Sequence, residues 1–369
     1  MKGKRENGSQ KMTEPFATNK KNILVAPLNW GLGHATRCIP IIRELENNGF
    51  TPILASDGDS LALLKKEFPQ LTALELPSYQ IEYAKNPKNL KWNLLKNSPK
   101  TIKAVFSEKR LTEKWISEYD LTGIISDNRL GVRSTKIPTV YITHQVTVLS
   151  GKTTWISSNI HQFFISKFNE CWVPDVAEIE NLSGKLGHLR NTKLNLKYIG
   201  ILSRLEKKVV DLKYDVMVLL SGPEPQHTFL EEKLIDALKN TTQKVVFIKG
   251  KVEKEQVKEQ IGTVTFYNFM QSEELEKTMN ESKLVLSRSG YTTVMDLCKL
   301  EKNAFFIPTP GQFEQEYLAE KYSTEKWVAH SKQSEFKLED LEKIQEYKGL
   351  PKIATTTNWK ELFSVFKCE

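Results

Sequence analysis

The chain has 369 residues, a length that suggests two domains rather than one. Hydrophobic residues make up 39% and charged residues 27%, and no apolar run approaches the ~20 residues of a membrane-spanning helix, so the composition is that of an ordinary globular protein. The net charge of +8 admits nucleic acid, anionic lipid or a phosphate-rich substrate, while Cys38, Cys171, Cys298 and Cys368, scattered with no CxxC pair, argue against structural zinc and for a reducing, cytoplasmic setting.

Residues 1–20 are polar and basic with no apolar signal core, and they read as a disordered leader with Met12 as an alternative start. "NILVAPL" (22–28) is a strand buried on both faces. It runs into "NWGLGHATR" (29–37), where Gly31 and Gly33 allow a tight turn and close approach to a ligand, and a helix start offers free N–H groups to an anion. The stretch is neither a Walker loop nor GxGxxG, so it is a bare turn or a site; His34 could serve there as a general base or only as a hydrogen-bonding residue. The helix from His34 to Asn48 carries Pro40, which predicts a bend, and ends at Gly49. "FTPILASD" (50–57) is the next strand. "DGD" (57–59) reads as an N-cap by Asp59 in preference to a metal site. "SLALLKKEF" (60–68) is a helix and "LTALEL" (71–76) a strand.

From Lys85 to Lys114 there are nine Lys/Arg and two Glu, interleaved with Trp92, Leu94, Leu95, Ile102, Val105, Phe106, Leu111 and Trp115. This is a solvated helix face or a peripheral patch for an anionic membrane, and no nucleic-acid motif accompanies it. "GIISD" (123–127) and "PTVYIT" (138–143) are short strands; Asp127, at the end of the first, is a base facing a cleft or a turn residue. Charge rises around residues 203–213, where the halves divide. The second half repeats the alternation with strands at "YDVMVLLSG" (214–222), "KVVFIKG" (244–250), "VTFYNF" (264–269), "KLVLSRSG" (283–290) and "NAFFIPTP" (303–310). Helices are read at 227–240, at 272–282 with Ser272 as N-cap, and at 292–300. Ser221 and Gly222 end a strand as a phosphate loop would, or as a turn built by Pro223 and Pro225. Ser289, Gly290, Thr292 and Thr293 open a helix whose hydroxyls and amides suit a diphosphate, and Asp296 suits ribose hydroxyls or the helix N-terminus. Gln312, Glu314, Gln315 and Glu316 crowd one helix start, which suits a sugar or solvent. The fold class expected is α/β, with two doubly wound Rossmann-like domains and a cleft between them, active at the carboxyl ends of the strands.

Together, "GLGHATR", "PTVYITHQ", "SRSGYTTVMD" and "PTPGQFEQEYLA" resemble the motifs of GT-B glycosyltransferases of the family 28 type, in particular those that transfer GlcNAc from UDP to a lipid-linked acceptor. The resemblance covers about Asn22 to Leu318. It implies an acceptor-side domain at 21–203, a donor domain at 212–350, and a C-terminal helix at 355–369 that packs back on the first domain. It assigns diphosphate contacts to Ser289, Gly290 and Thr292, ribose to Asp296, donor sugar to Gln315 and Glu316 beside Gln312, and uracil to the backbone of Phe269 and Met270. Ser221 and Gly222 would join the donor loops, with Arg204 or Arg288 meeting the leaving diphosphate. Gly31, Gly33, Arg37, His144 and Gln145 would face the acceptor. Asp296 is one methylene shorter than the family's Glu, and Glu316 replaces a Gln.

The expected activity is inverting transfer of GlcNAc or another hexose from a UDP-sugar to a membrane- or lipid-linked hydroxyl. His34 or Asp127 would be the base, with no metal and no cofactor beyond the nucleotide sugar. Residues 85–115 would seat the enzyme on the inner face of the cytoplasmic membrane. The rival readings are a UDP-GlcNAc 2-epimerase, a nucleotide-sugar-binding protein without turnover, and a nucleic-acid binder.

Overall fold

The computed structural model describes residues 21–79, 90–251, 253–353 and 357–367. The leader at 1–20 and the start of the basic segment lie outside the described residues. In the first half the elements are β1 (Lys21–Pro27), α1 (Gly33–Asn47), β2 (Phe50–Ser56), α2 (Gly58–Glu67), β3 (Ala73–Glu75), α3 (Leu90–Glu118), β4 (Leu121–Asp127), β5 (Thr139–Ile142), α4 (Thr154–Ile165), β6 (Glu170–Val173) and β7 (Leu196–Tyr198). The second half has β8 (Tyr214–Leu219), α5 (Gln226–Leu238), β9 (Val245–Ile248), β10 (Lys258–Ile261), β11 (Val264–Tyr267), α6 (Ser272–Asn280), β12 (Ser282–Ser287), α7 (Tyr291–Lys299), β13 (Asn303–Phe306), α8 (Phe313–Thr324) and β14 (Ala329–His330). A last short helix, α9 (Trp359–Leu362), follows.

Each half is one seven-stranded sheet, ordered β3-β2-β1-β4-β5-β6-β7 and β10-β11-β9-β8-β12-β13-β14. The ladders are parallel except for the β10–β11 pair. In both sheets the chain reverses direction across the sheet beside its first strand, between β1 and β4 and between β8 and β12. Such switch points leave a crevice beyond the carboxyl ends of the strands. The strands are apolar on both faces because helices cover both. Ile23 and Val25 pack into one core layer, and Leu24 and Ala26 into the other.

One apolar cluster crosses the division between the halves. It takes Ile23 and Trp172 from the first sheet, Met217 and Phe306 from the second, and Leu202, Leu205, Tyr291 and Met295 between them. The chain end joins it: the Phe363 and Phe366 rings meet Phe50 and Trp172 of the first half.

Several local expectations change. α1 continues through Pro40 without a break. The N-cap of α2 is Asp57 rather than Asp59, and that of α6 is Gln271, with Ser272 its first residue. β10 is exposed along its whole length, so no hydrophobic pattern announced it.

Candidate active site

The first switch point brings the Gly-rich turn against the end of β4. Pro27 pairs with Asp127 in the β1–β4 register, and the Leu28 N–H donates to the Asp127 carbonyl at 2.9 Å. Gly31 has a φ of +72°, which allows the turn before α1. His34, one residue into α1, then lies with Nδ1 2.9 Å from Asp127 Oδ1. Arg37, one turn on, donates from Nε to Asp127 Oδ2 at 2.5 Å and from Nη2 to Oδ1. Asp127 and Arg37 are buried, so each ion is stable only because the other is present. Burial works to raise the Asp127 pKa, but the Arg37 cation and His34 overcome it and hold the carboxyl well below the carboxylate range. His34 moves down from its ordinary value: burial lowers it, Asp127 pulls it up, and the Arg37 cation lowers it further. A neutral imidazole beside a fixed carboxylate can accept a proton near neutral pH.

The second half approaches this pair from across the cleft. The Thr292 hydroxyl donates to the Gly33 carbonyl at 3.1 Å. A Cβ on Gly33 would lie 2.9 Å from Thr292 Oγ1, so the close contact of the α1 and α7 starts requires glycine there. Two helix N-termini thus converge, an arrangement that favours an anion between them. Gly290, the N-cap of α7, faces open space. His144 stacks face to face on Tyr291, with centroids 4.1 Å apart, and its Nε2 lies 2.7 Å from Glu314 Oε1. Gln145 donates to the other oxygen of Glu314.

The residues expected at the donor lie in the second half. Ser221 and Gly222 are exposed after β8, and Gly222 has a φ of +111°. The Ser289 hydroxyl is turned inward and donates to the Gln315 carbonyl at 2.7 Å. Gln315 is buried, accepting from the Thr309 N–H at 2.9 Å and donating to Gln312 at 2.6 Å, so both glutamines brace the 309–315 loop. Glu316 is exposed and accepts from the Gly311 N–H. Phe269 has both backbone groups engaged: its N–H donates to the Asn268 side chain, and its carbonyl accepts from Gln256. Met270 packs beside the shared core.

Arg288 does not face the cleft. Its guanidinium donates to the carbonyls of Ile307, Pro308 and Gln226, and burial lowers its pKa to about 10. Arg204 is better placed for an anion. It lies 3.7 Å from Glu67, and its Nε and Nη1 are buried with no hydrogen-bond acceptor. Asp296, beside it, accepts from the Ser203 hydroxyl at 2.6 Å. Asp57 of the "DGD" stretch is held by Arg129, which also donates to Glu108 at 2.7 Å, so one arginine bridges these two carboxylates.

Two groups escaped the sequence. The Thr309 hydroxyl is buried without a partner, and a Cβ on Gly222 would lie 3.5 Å from it. Glu314 was visible only as one polar residue among several; its partners lie 170 and 169 residues away.

Outside the cleft, α3 and α4 cover one face of the first sheet. Trp115 of α3 packs with Leu24 and Ile124, and Ile165 of α4 with Tyr141, Cys171 and Val173. The basic segment therefore divides: Trp115 is core, while Ile102 and Phe106 are exposed. α4 exposes Trp155, Ile156, Ile160 and Phe163 along one side, and residues 128–169 contain no Asp or Glu. No described helix is long and apolar enough to cross a membrane.

Residues 226–351 match the glycosyltransferase family 28 C-terminal domain. No curated protein matches the sequence. Among solved structures the chain is similar to MurG from Acinetobacter baumannii at 15% identity and a TM-score of 0.53, over 89% of this chain and 92% of that one. It is similar to the glycosyltransferase SnogD from Streptomyces nogalater at 10% identity and a TM-score of 0.60, over 94% and 100% of the two chains. A third similar structure is the Streptomyces sp. SF2575 glycosyltransferase SsfS6 complexed with thymidine diphosphate, at 12% identity and a TM-score of 0.54, over 84% and 87%. These likenesses give both halves the fold of the solved glycosyltransferases, and residues 226–351 carry the C-terminal domain of glycosyltransferase family 28.

Proposed function

We propose that the protein transfers GlcNAc or another hexose, with inversion, from a UDP-sugar to a hydroxyl of a lipid-linked acceptor. The observation that carries the reading is the His34–Asp127 pair, set opposite the start of α7 in the cleft. The first half, about 21–203, would hold the acceptor and the second, about 212–350, the donor. Asp127 selects the His34 tautomer with the proton on Nδ1, leaving Nε2 to take the acceptor proton. The acceptor oxygen then bonds to the anomeric carbon from the face opposite the diphosphate, and the bond from that carbon to the diphosphate oxygen breaks. UDP leaves with the electron pair. Its charge is met by the amides at the start of α7, the Ser221–Gly222 loop and Arg204, and the mechanism calls on no metal or further cofactor.

A nucleotide-sugar donor is supported by the neighbour solved with thymidine diphosphate, and uracil rather than thymine follows from the motif resemblance. Membrane association is supported by the exposed side of α4 and by Ile102 and Phe106 of α3, in a region without acidic residues between 128 and 169. This shifts the proposed contact from residues 85–115 alone to α3 and α4 together, at the cytoplasmic face of the membrane.

Replacing His34 by Ala should lower transfer from UDP-GlcNAc at least ~100-fold while calorimetric UDP affinity is kept. Unchanged turnover would remove His34 as the base. Release of UDP and free sugar without any acceptor would favour the epimerase reading, and UDP binding without turnover would favour a binding protein.

A further inference from the structure

Glu314 opens α8 one residue before Gln315, yet its carboxylate bonds to the first half of the molecule. An ionised carboxylate only accepts hydrogen bonds, so the His144 proton facing it sits on Nε2. That leaves the Nδ1 lone pair for Arg37, whose Nη1 lies 3.2 Å away. The other nitrogens of Arg37, Nε and Nη2, hold both oxygens of Asp127. Asp127 in turn faces His34 Nδ1. The polarity of these bonds is consistent from Glu314 to the Asp127 carboxylate, and at the far end His34 Nδ1 lies 2.9 Å from both Asp127 Oδ1 and Arg37 Nη2, so a movement of Arg37 is felt at His34 directly as well as through Asp127. His144 is buried and stacked flat on Tyr291, so its ring cannot turn while both contacts stand. Tyr291 and Glu314 both lie in the first turns of second-half helices, Tyr291 between Gly290 and Thr292 at the start of α7 and Glu314 next to Gln315 at the start of α8.

We infer that Glu314 is a positioning residue: by fixing the His144 ring it fixes Arg37 and the Asp127 carboxylate, so that His34 is oriented as a base only when the two halves meet. This rests on the reading of His34 as the base. Withdrawal of Glu314 leaves a buried His144 N–H without an acceptor and frees the ring to leave Arg37. The guanidinium then has room to move, and small displacements at a reacting centre are costly to turnover. The donor loops would in this way report their arrangement to the acceptor side before a proton moves.

The test uses the full-length protein with its six histidines 15N-labelled, with UDP as probe and UDP-GlcNAc as donor. Glu314→Ala should shift the ring nitrogens of both His144 and His34 and lower turnover ~10- to 100-fold, with UDP affinity retained. Glu314→Gln keeps an oxygen that accepts from His144, and Gln145 can flip its amide to suit; the His34 signals and most of the turnover should be retained. Unmoved His34 nitrogens in Glu314→Ala would overturn the inference. So would a UDP affinity that falls in step with turnover, since Glu314 would then be touching the donor itself. The spectra report the Glu314–His34 connection whatever the base, so an active His34→Ala protein would sink the base assignment alone.

Discussion

Burial raises the Asp296 carboxyl to about 6, against the opposing pull of the Ser203 hydroxyl and the Arg204 cation. A carboxylate accepts hydrogen bonds from both ribose hydroxyls, whereas a protonated carboxyl must give up part of that capacity. On the proposed contact of Asp296 with the ribose, donor binding favours the ionised form, which is populated as pH rises through about 6. The affinity for UDP-GlcNAc, whose diphosphate diester does not titrate in this range, should increase between about pH 5 and 7.5. Asp296→Asn should remove the step. A flat calorimetric profile in the native protein, or a step that survives the substitution, would take Asp296 away from the ribose. At this scale the sequence was readable where a residue's position depends on its own strand end, as for Gly31, His34 and Asp127, which it set at the ends of the first strands. It was not readable where the role depends on a distant partner. Arg37 and Asp127 are 90 residues apart, and nothing local marks them as a buried ion pair. The inward turn of Arg288 depends on carbonyls 19 to 62 residues away, and its positive charge alone suggested the cleft.

Most elements with apolar cores were legible, because a strand covered by helices on both faces needs a continuous apolar run, but the buried four-residue β6, which opens on Glu170, went unread. Short edge strands gave no such signal: β7 and β14 are 3 and 2 residues long, and β10 is fully exposed. α4 is the element for which hydrophobicity pointed the wrong way. Its apolar residues would ordinarily face a core, yet only Ser158 and Ile165 are buried. Lys152 before it and Lys167 after it are exposed, and the Lys167 ammonium sits 4.5 Å over the Phe163 ring. Charge and apolar surface are thus presented together, as an interfacial helix presents them. In flotation with vesicles containing anionic lipid, the paired change Trp155→Glu and Phe163→Glu should reduce binding more than Lys103→Glu, which alters charge on α3 alone. Equal recovery of native and doubly substituted protein with the vesicles would return α4 to a plain surface helix.

Over the whole molecule, the linker and the chain end cross between the halves, and each carries apolar side chains into the same interior. Ser203 reaches Asp296 of the second half and Arg204 reaches Glu67 of the first, and Phe366 lies so close to β4 that a Cβ on Gly123 would be 2.3 Å from its ring. Hydrogen bonds add to this: Tyr291 donates to the Pro174 carbonyl at 2.9 Å, and Tyr322 to that of Leu182 at 3.0 Å. The division read from charge at 203–213 is therefore a boundary of topology. Because one apolar cluster spans both sheets, neither half can melt without uncovering the side of the other that it packs against. Scanning calorimetry should accordingly give a single endotherm, with equal calorimetric and van't Hoff enthalpies, where two independent domains would give two.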